Sequence, residues 1–151
     1  MTISRGAGTE IIRTVNFEAV NQTGNMLIVG EKHHLYTVLS VVCHAKSVGG
    51  SDDFVRMFLF GYDSKQGGSE GSHEEIYIFQ QRVSGLGTFV WNDKFSFNGF
   101  EPTPFSGPMN DATKQNAISD QGSSVAQTLQ IDTESGAQFH VICTYIDQNN
   151  N

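Results

Sequence analysis

Along most of this chain, apolar side chains recur at every second position or in short solid runs, and each run is cut off by a cluster of Gly, Asn, Asp or Ser. A strand sends successive side chains to opposite faces, whereas a helix needs a recurrence near 3.6, so the spacing selects strands and turns. Val, Ile, Thr, Phe and Tyr dominate the runs, and these residues suit a pleated, half-buried surface. The spacing predicts strands over residues 11–19, 25–29, 35–44, 54–62, 75–81, 87–91, 93–97, 126–132 and 138–146. About nine short strands make an all-β fold, an antiparallel β-sandwich of jelly-roll-like form, although alternation does not separate a sandwich from a jelly-roll barrel.

Two runs carry apolar residues on both faces. In one, Leu35, Leu39, Val41 and Cys43 alternate with Tyr36, Val38 and Val42; in the other, Phe139, Val141, Cys143 and Tyr145 alternate with Ile142 and Ile146. The run from Phe54 to Phe60 behaves alike, with Arg56 its only charge. Strands of this kind lie centrally in a core or face another subunit, and if the second faces pack on a neighbour the chain self-associates.

At 151 residues the chain suits one domain with one core. The reading is a flexible arm over residues 1–9, a single β-sandwich domain over 10–147, and a frayed tail over 148–151. Residues 64–72 read as an exposed Gly-rich loop, and residues 99–124 as a long loop. That loop holds all three prolines, Pro102, Pro104 and Pro108, beside Phe100, Phe105 and Met109. Loops of this length are usually functional or mobile, and Asp111 could cap a short helix over residues 110–120.

Charge narrows the partners. The formal net charge is −7, and the nine basic residues are scattered rather than gathered in a stripe that could hold phosphates, so nucleic acid is not expected. The first residues lack the apolar core of a signal peptide, and the longest apolar stretch, 35–42, is broken by Thr37 and Ser40, so no membrane association is expected. Cys43 and Cys143 lie in apolar surroundings and read as buried free thiols, with a bridge between them open if their strands are neighbours.

The residue types that carry catalysis are present but badly spaced. Cys43 and His44 point to opposite faces of a strand, as do His140 and Cys143, so neither pair can close on zinc. His33-His34, Asp52-Asp53 and Glu74-Glu75 sit at strand entries, where neighbouring side chains diverge and stay solvated. No nucleophile elbow, zinc-protease or phosphate-loop motif occurs, and the expectation is no enzyme and no cofactor. Trp91 could serve a carbohydrate- or receptor-binding module as a stacking platform. The aromatic-rich third quarter, with Trp91, Phe95, Phe97, Phe100, Phe105 and Met109, is expected instead to form a subunit interface, where large aromatics anchor contacts.

The layout resembles small β-sandwich proteins of tailed-phage virions, especially marine and cyanobacterial phages. The early run 35–43, the middle stretch 87–97 and the closing pair 126–132 and 139–145 carry the likeness, across residues 25–147. The resemblance implies a capsid decoration, neck or tail subunit, made in the host cytoplasm and resident in the virion. It also implies assembly with copies of itself and with shell proteins such as the major capsid protein, without a cofactor. The loops over 64–72 and 99–124 depart from the pattern and leave open which part of the virion it would be.

Overall fold

A computed structural model describes residues 8–62, 74–100 and 126–150. Residues 1–7 of the arm expected over 1–9, the Gly-rich loop expected over 64–72, the short helix expected over 110–120 and the body of the Pro/Phe loop lie outside them. Among the described residues there are nine strands: β1 Thr9–Val20, β2 Asn25–Val29, β3 His34–Ser47, β4 Asp52–Tyr62, β5 Glu74–Ser84, β6 Thr88–Trp91, β7 Phe95–Asn98, β8 Thr128–Thr133 and β9 Gln138–Asn149. Each falls on a run predicted from spacing. β3 and β5 run furthest beyond their expected bounds, and β9 also extends, carrying Gln148 into pairing with Glu10 and Leu35, past the point where the tail was expected to fray.

All pairings are antiparallel, in two sheets. Sheet A has the order β1-β9-β3-β6, with β7 also on β3, and sheet B has the order β2-β8-β4-β5. β6 meets the second half of β3 (Val41 opposite Trp91) and β7 the first half (Tyr36 opposite Phe97), so the two act as one edge strand broken at residues 92–94. Counted that way, first pairs with last, second with second-last, third with third-last, and the middle two with each other. That nested wrap is a jelly roll, and it separates the two architectures that alternation left together.

The core lies between the sheets. Val38, Val41, Val55, Met57, Leu129, Ile131, Phe139 and Val141 are each fully buried. β3 does not keep one alternation throughout. The register slips between Val38 and Ser40, so Tyr36 and Val38 face inward on one parity and Val41, Cys43 and Ala45 on the other. A bulge at Leu39 adds the extra residue that switches faces, which corrects the grouping of Leu35 and Leu39 with Val41 and Cys43.

One end of the sandwich is tied by backbone. Gly30 N donates to Gln127 O at 2.8 Å, Gln127 N to Gly99 O at 2.8 Å, and Gly99 N to His34 O at 2.8 Å. A Cβ on Gly30 would sit 1.9 Å from Gly99 O, and one on Gly99 would sit 1.9 Å from Glu31 O, so only glycine lets these segments cross. Near this crossing, Asp147, only 3% exposed, accepts from Arg13 Nε at 3.1 Å and lies 2.7 Å from His34 Nδ1. The buried carboxylate thus ties β1, β3 and β9 together.

Candidate functional site

The aromatic residues expected at an interface form a ladder along the seam between the sheets. Tyr36 meets Phe97 at 5.4 Å between ring centroids, Phe97 stacks on Phe95 at 5.9 Å, Phe95 meets Trp91 edge-on at 5.6 Å, and Trp91 stacks on Phe79 at 6.2 Å. Phe79 also meets Phe89 edge-on at 5.1 Å. Phe97 is buried, while Trp91 and Phe95 are half-buried and pack on the core. The ladder bridges β5 to the broken edge strand. Phe79 stacks on Trp91 and Phe95 meets it edge-on, which narrows the ring area left for a sugar. Phe100 forms an isolated bridge with Ala126, and Phe105 and Met109 lie outside the described residues.

A cleft of about 300 Å³ beside the ladder is lined by Leu59, Ile76, Ile78, Phe95, Ser96, Phe97, Asn98 and Gln127. Gln127 Nε2 donates to Asn98 O at 2.9 Å, whereas its Oε1 is buried without a partner among the described residues.

The two outer faces differ in chemistry. On sheet B, Arg56 on β4 makes a two-pronged contact with Asp132 on β8, at 2.6 and 3.1 Å, and its guanidinium lies over the rings of Phe54 (5.4 Å) and Tyr77 (5.3 Å). The hydrogen bond to Asp132 raises the Arg56 pKa. Arg82 reaches Asp52 at 3.1 Å and Glu134 at 3.4 Å, and Tyr77 donates to Glu75 at 2.9 Å. This face pairs its charges internally, and beside them it exposes Met26, Val29, Phe60 and Tyr77.

Among the described residues, the outer face of sheet A has no such charge across its middle. Registers and burial place five rows on it. The outermost rows are Glu10, Gln148, Leu35 and Asn98 at one end and His140, His44 and Thr88 at the other. Inside them lie two rows with branched aliphatics: Ile12, Ile146, Thr37 and Ser96, and Asn16, Ile142, Val42 and Val90. A hydroxyl row of Thr14, Thr144 and Ser40 lies between, beside the bulged Leu39. Ile12 is 70% and Val90 51% exposed. The polar groups satisfy one another within the sheet: Thr37 with Ser96 at 2.9 Å, His44 with Thr88 at 2.9 Å, and His140 with Asn16 at 2.5 Å.

Sequence reasoning located the apolar second faces of β3 and β9 through Val42, Ile142 and Ile146. It missed Ile12 and Val90, whose place on the same face depends on strand order. It also missed that His44 and His140 are direct cross-strand partners. Cys43 and Cys143 lie on the core side as free thiols, and among the described residues no group of three or more His, Cys, Asp or Glu could hold a metal.

No family model matches the chain, and no curated protein matches it in sequence. Among solved structures, it is similar in fold to a chain in the cryo-EM structure of Broad Bean Stain Virus, with 12% identity and a TM-score of 0.38, covering 100% of this chain and 91% of that one. It is also similar to a chain in the empty virus-like particle of Cowpea Mosaic Virus, with 14% identity and a TM-score of 0.31, covering 97% and 76%.

Proposed function

We propose that this chain is a structural component of a virus particle, a capsid decoration or cement subunit or a head-tail component of a tailed phage. It acts by binding copies of itself and the major capsid protein, resides in the virion after synthesis in the host cytoplasm, and performs no catalysis. The observation that carries this reading is, on each sheet, an outer face with large apolar side chains open to contact: Ile12 and Val90 on sheet A, and Met26, Val29, Phe60 and Tyr77 on sheet B. A face of that kind, held on a rigid double sheet, supports a role in contact rather than in chemistry. The jelly-roll wrap also occurs among capsid proteins, lectins and cupin enzymes, so it does not choose between functions by itself. The stacking of Phe79 on Trp91 weighs against the lectin use of the wrap.

The test is the absolute mass of the purified chain by light scattering on a sizing column, followed across protein concentration and salt, with electron microscopy of the same samples. Rings or closed particles of defined copy number support the reading. A strict monomer at every concentration and salt overturns it.

A further inference from the structure

We infer that the cleft between β7 and the β4–β5 pair is a binding site for a small, uncharged aromatic molecule that carries a hydrogen-bond donor, with Gln127 Oε1 as the acceptor. The site lies between the sheets, goes beyond the contact role proposed above and does not depend on it.

Gln127 immediately precedes β8 and is only 2% exposed. Three of its four polar groups have partners: its backbone N donates to Gly99 O at 2.8 Å, its carbonyl accepts from Gly30 N at 2.8 Å, and Nε2 donates to Asn98 O at 2.9 Å. Turning the amide over would set Oε1 against Asn98 O, acceptor against acceptor, so the third bond fixes which atom is left over. That atom, Oε1, is buried without a partner. A buried amide oxygen left unpaired costs stability, and such groups are rare in folded proteins unless something outside the chain completes them.

The surroundings indicate what completes this one. Gln127 lines the cleft of about 300 Å³ together with Leu59 on β4, Ile76 and Ile78 on β5, and Phe95 and Phe97 on β7. Among the described residues no charged side chain lines it, so a charged ligand would be buried without a counter-ion. An amide oxygen accepts and cannot donate, so the ligand has to bring an N–H or O–H. Further along the same seam Phe79 on β5 packs against Trp91 and Phe89 and fills the space between the sheets. Opposite β7 the smaller Ile76 and Ile78 leave it open, beside the stacked rings of Phe95 and Phe97. Aromatic rings favour such neighbours. An apolar cavity of about 150 Å³ takes one benzene ring, so this cleft suits two fused rings. Indole, with two fused rings and one N–H that only donates, has the matching chemistry.

The experiment titrates the isotopically labelled full chain with indole and with indene, which keeps the shape and lacks the N–H, and follows the backbone amide signals. Indole is expected to shift those of Ile76, Ile78, Phe97 and Gln127 with a dissociation constant of about 1 mM or tighter. Indene is expected to bind about tenfold more weakly, the effect of leaving the acceptor unpaired. Gln127→Met removes the acceptor at similar size and should bring the two probes to within about twofold of each other. Ile78→Trp fills the cleft and should abolish both titrations, and urea unfolding checks that each variant folds. Should Gln127→Met not fold, the indole-to-indene ratio of the wild type and the loss in Ile78→Trp carry the test. The inference is overturned by no shift at about 5 mM indole, by equal affinities of the two probes in the wild type, by a preference for indole that survives Gln127→Met, or by binding that survives Ile78→Trp. None of these outcomes bears on self-association, which light scattering reads separately.

Discussion

Cys43 and Cys143 sit on adjacent central strands, Cys43 opposite Val141 and Val41 opposite Cys143, with both thiols in the core. Burial pushes each thiol up to about 12, and Cys143 adds to the shift at Cys43. A folded pKa above the unfolded one means that the native state holds the proton longer. The stability contributed is therefore complete below about pH 9 and is lost as pH rises toward 12, at about 1.4 kcal/mol per unit for each thiol. Burial raises Tyr36 and Tyr145 as well and steepens the loss. Urea midpoints at pH 8, 9.5 and 10.5 should fall progressively, and Cys43→Ala with Cys143→Ala should flatten the slope. An unchanged slope would remove the thiols as its cause. Burial of the thiols was legible from their apolar runs. The need for glycine at Gly30 and Gly99 was not, because their contact joins two connections about 70 residues apart, which no local pattern records.

At the scale of elements, strand positions followed directly from apolar spacing because both sheets bury one face and the period of two is strongly enforced. The direction of a strand's faces was less legible. One bulged residue at Leu39 reverses the parity of β3, and the run itself, apolar at both parities, gave no sign of it. The aromatic third quarter was read as an interface from composition. Within the chain, strand order lays β6 and β7 along the open edge of β3 and brings β5 across from them, so Trp91 packs over the seam. Trp91→Ala should therefore cost stability by about 2–4 kcal/mol, less than full burial would give because Trp91 is half-buried. Chemical unfolding measures this, and a loss below about 0.5 kcal/mol would mean the ladder contributes little.

For the whole molecule, the two sheets depend unequally on their strands. β9 is paired on both sides, with β1 and β3, whereas β1 has one partner in its sheet. Removing residues 138–151 takes out the middle of sheet A together with fully buried Phe139, Val141 and Cys143. The shortened chain is expected to lose its cooperative urea transition and near-ultraviolet circular dichroism. Removing residues 1–20 takes an edge strand and should leave a folded but weakened protein. Equal damage from both deletions would contradict this difference between centre and edge.

The nested pairing also sets an order in time. β4 and β5 are neighbours along the chain and can join as soon as both exist, while β2 waits for β8, and β1 for β9. During synthesis the apolar runs of β1, β2 and β3 leave the ribosome long before their partners. They depend on chaperones or rapid collapse to stay apart from other chains, and closure of the long loops puts folding on the order of milliseconds to seconds.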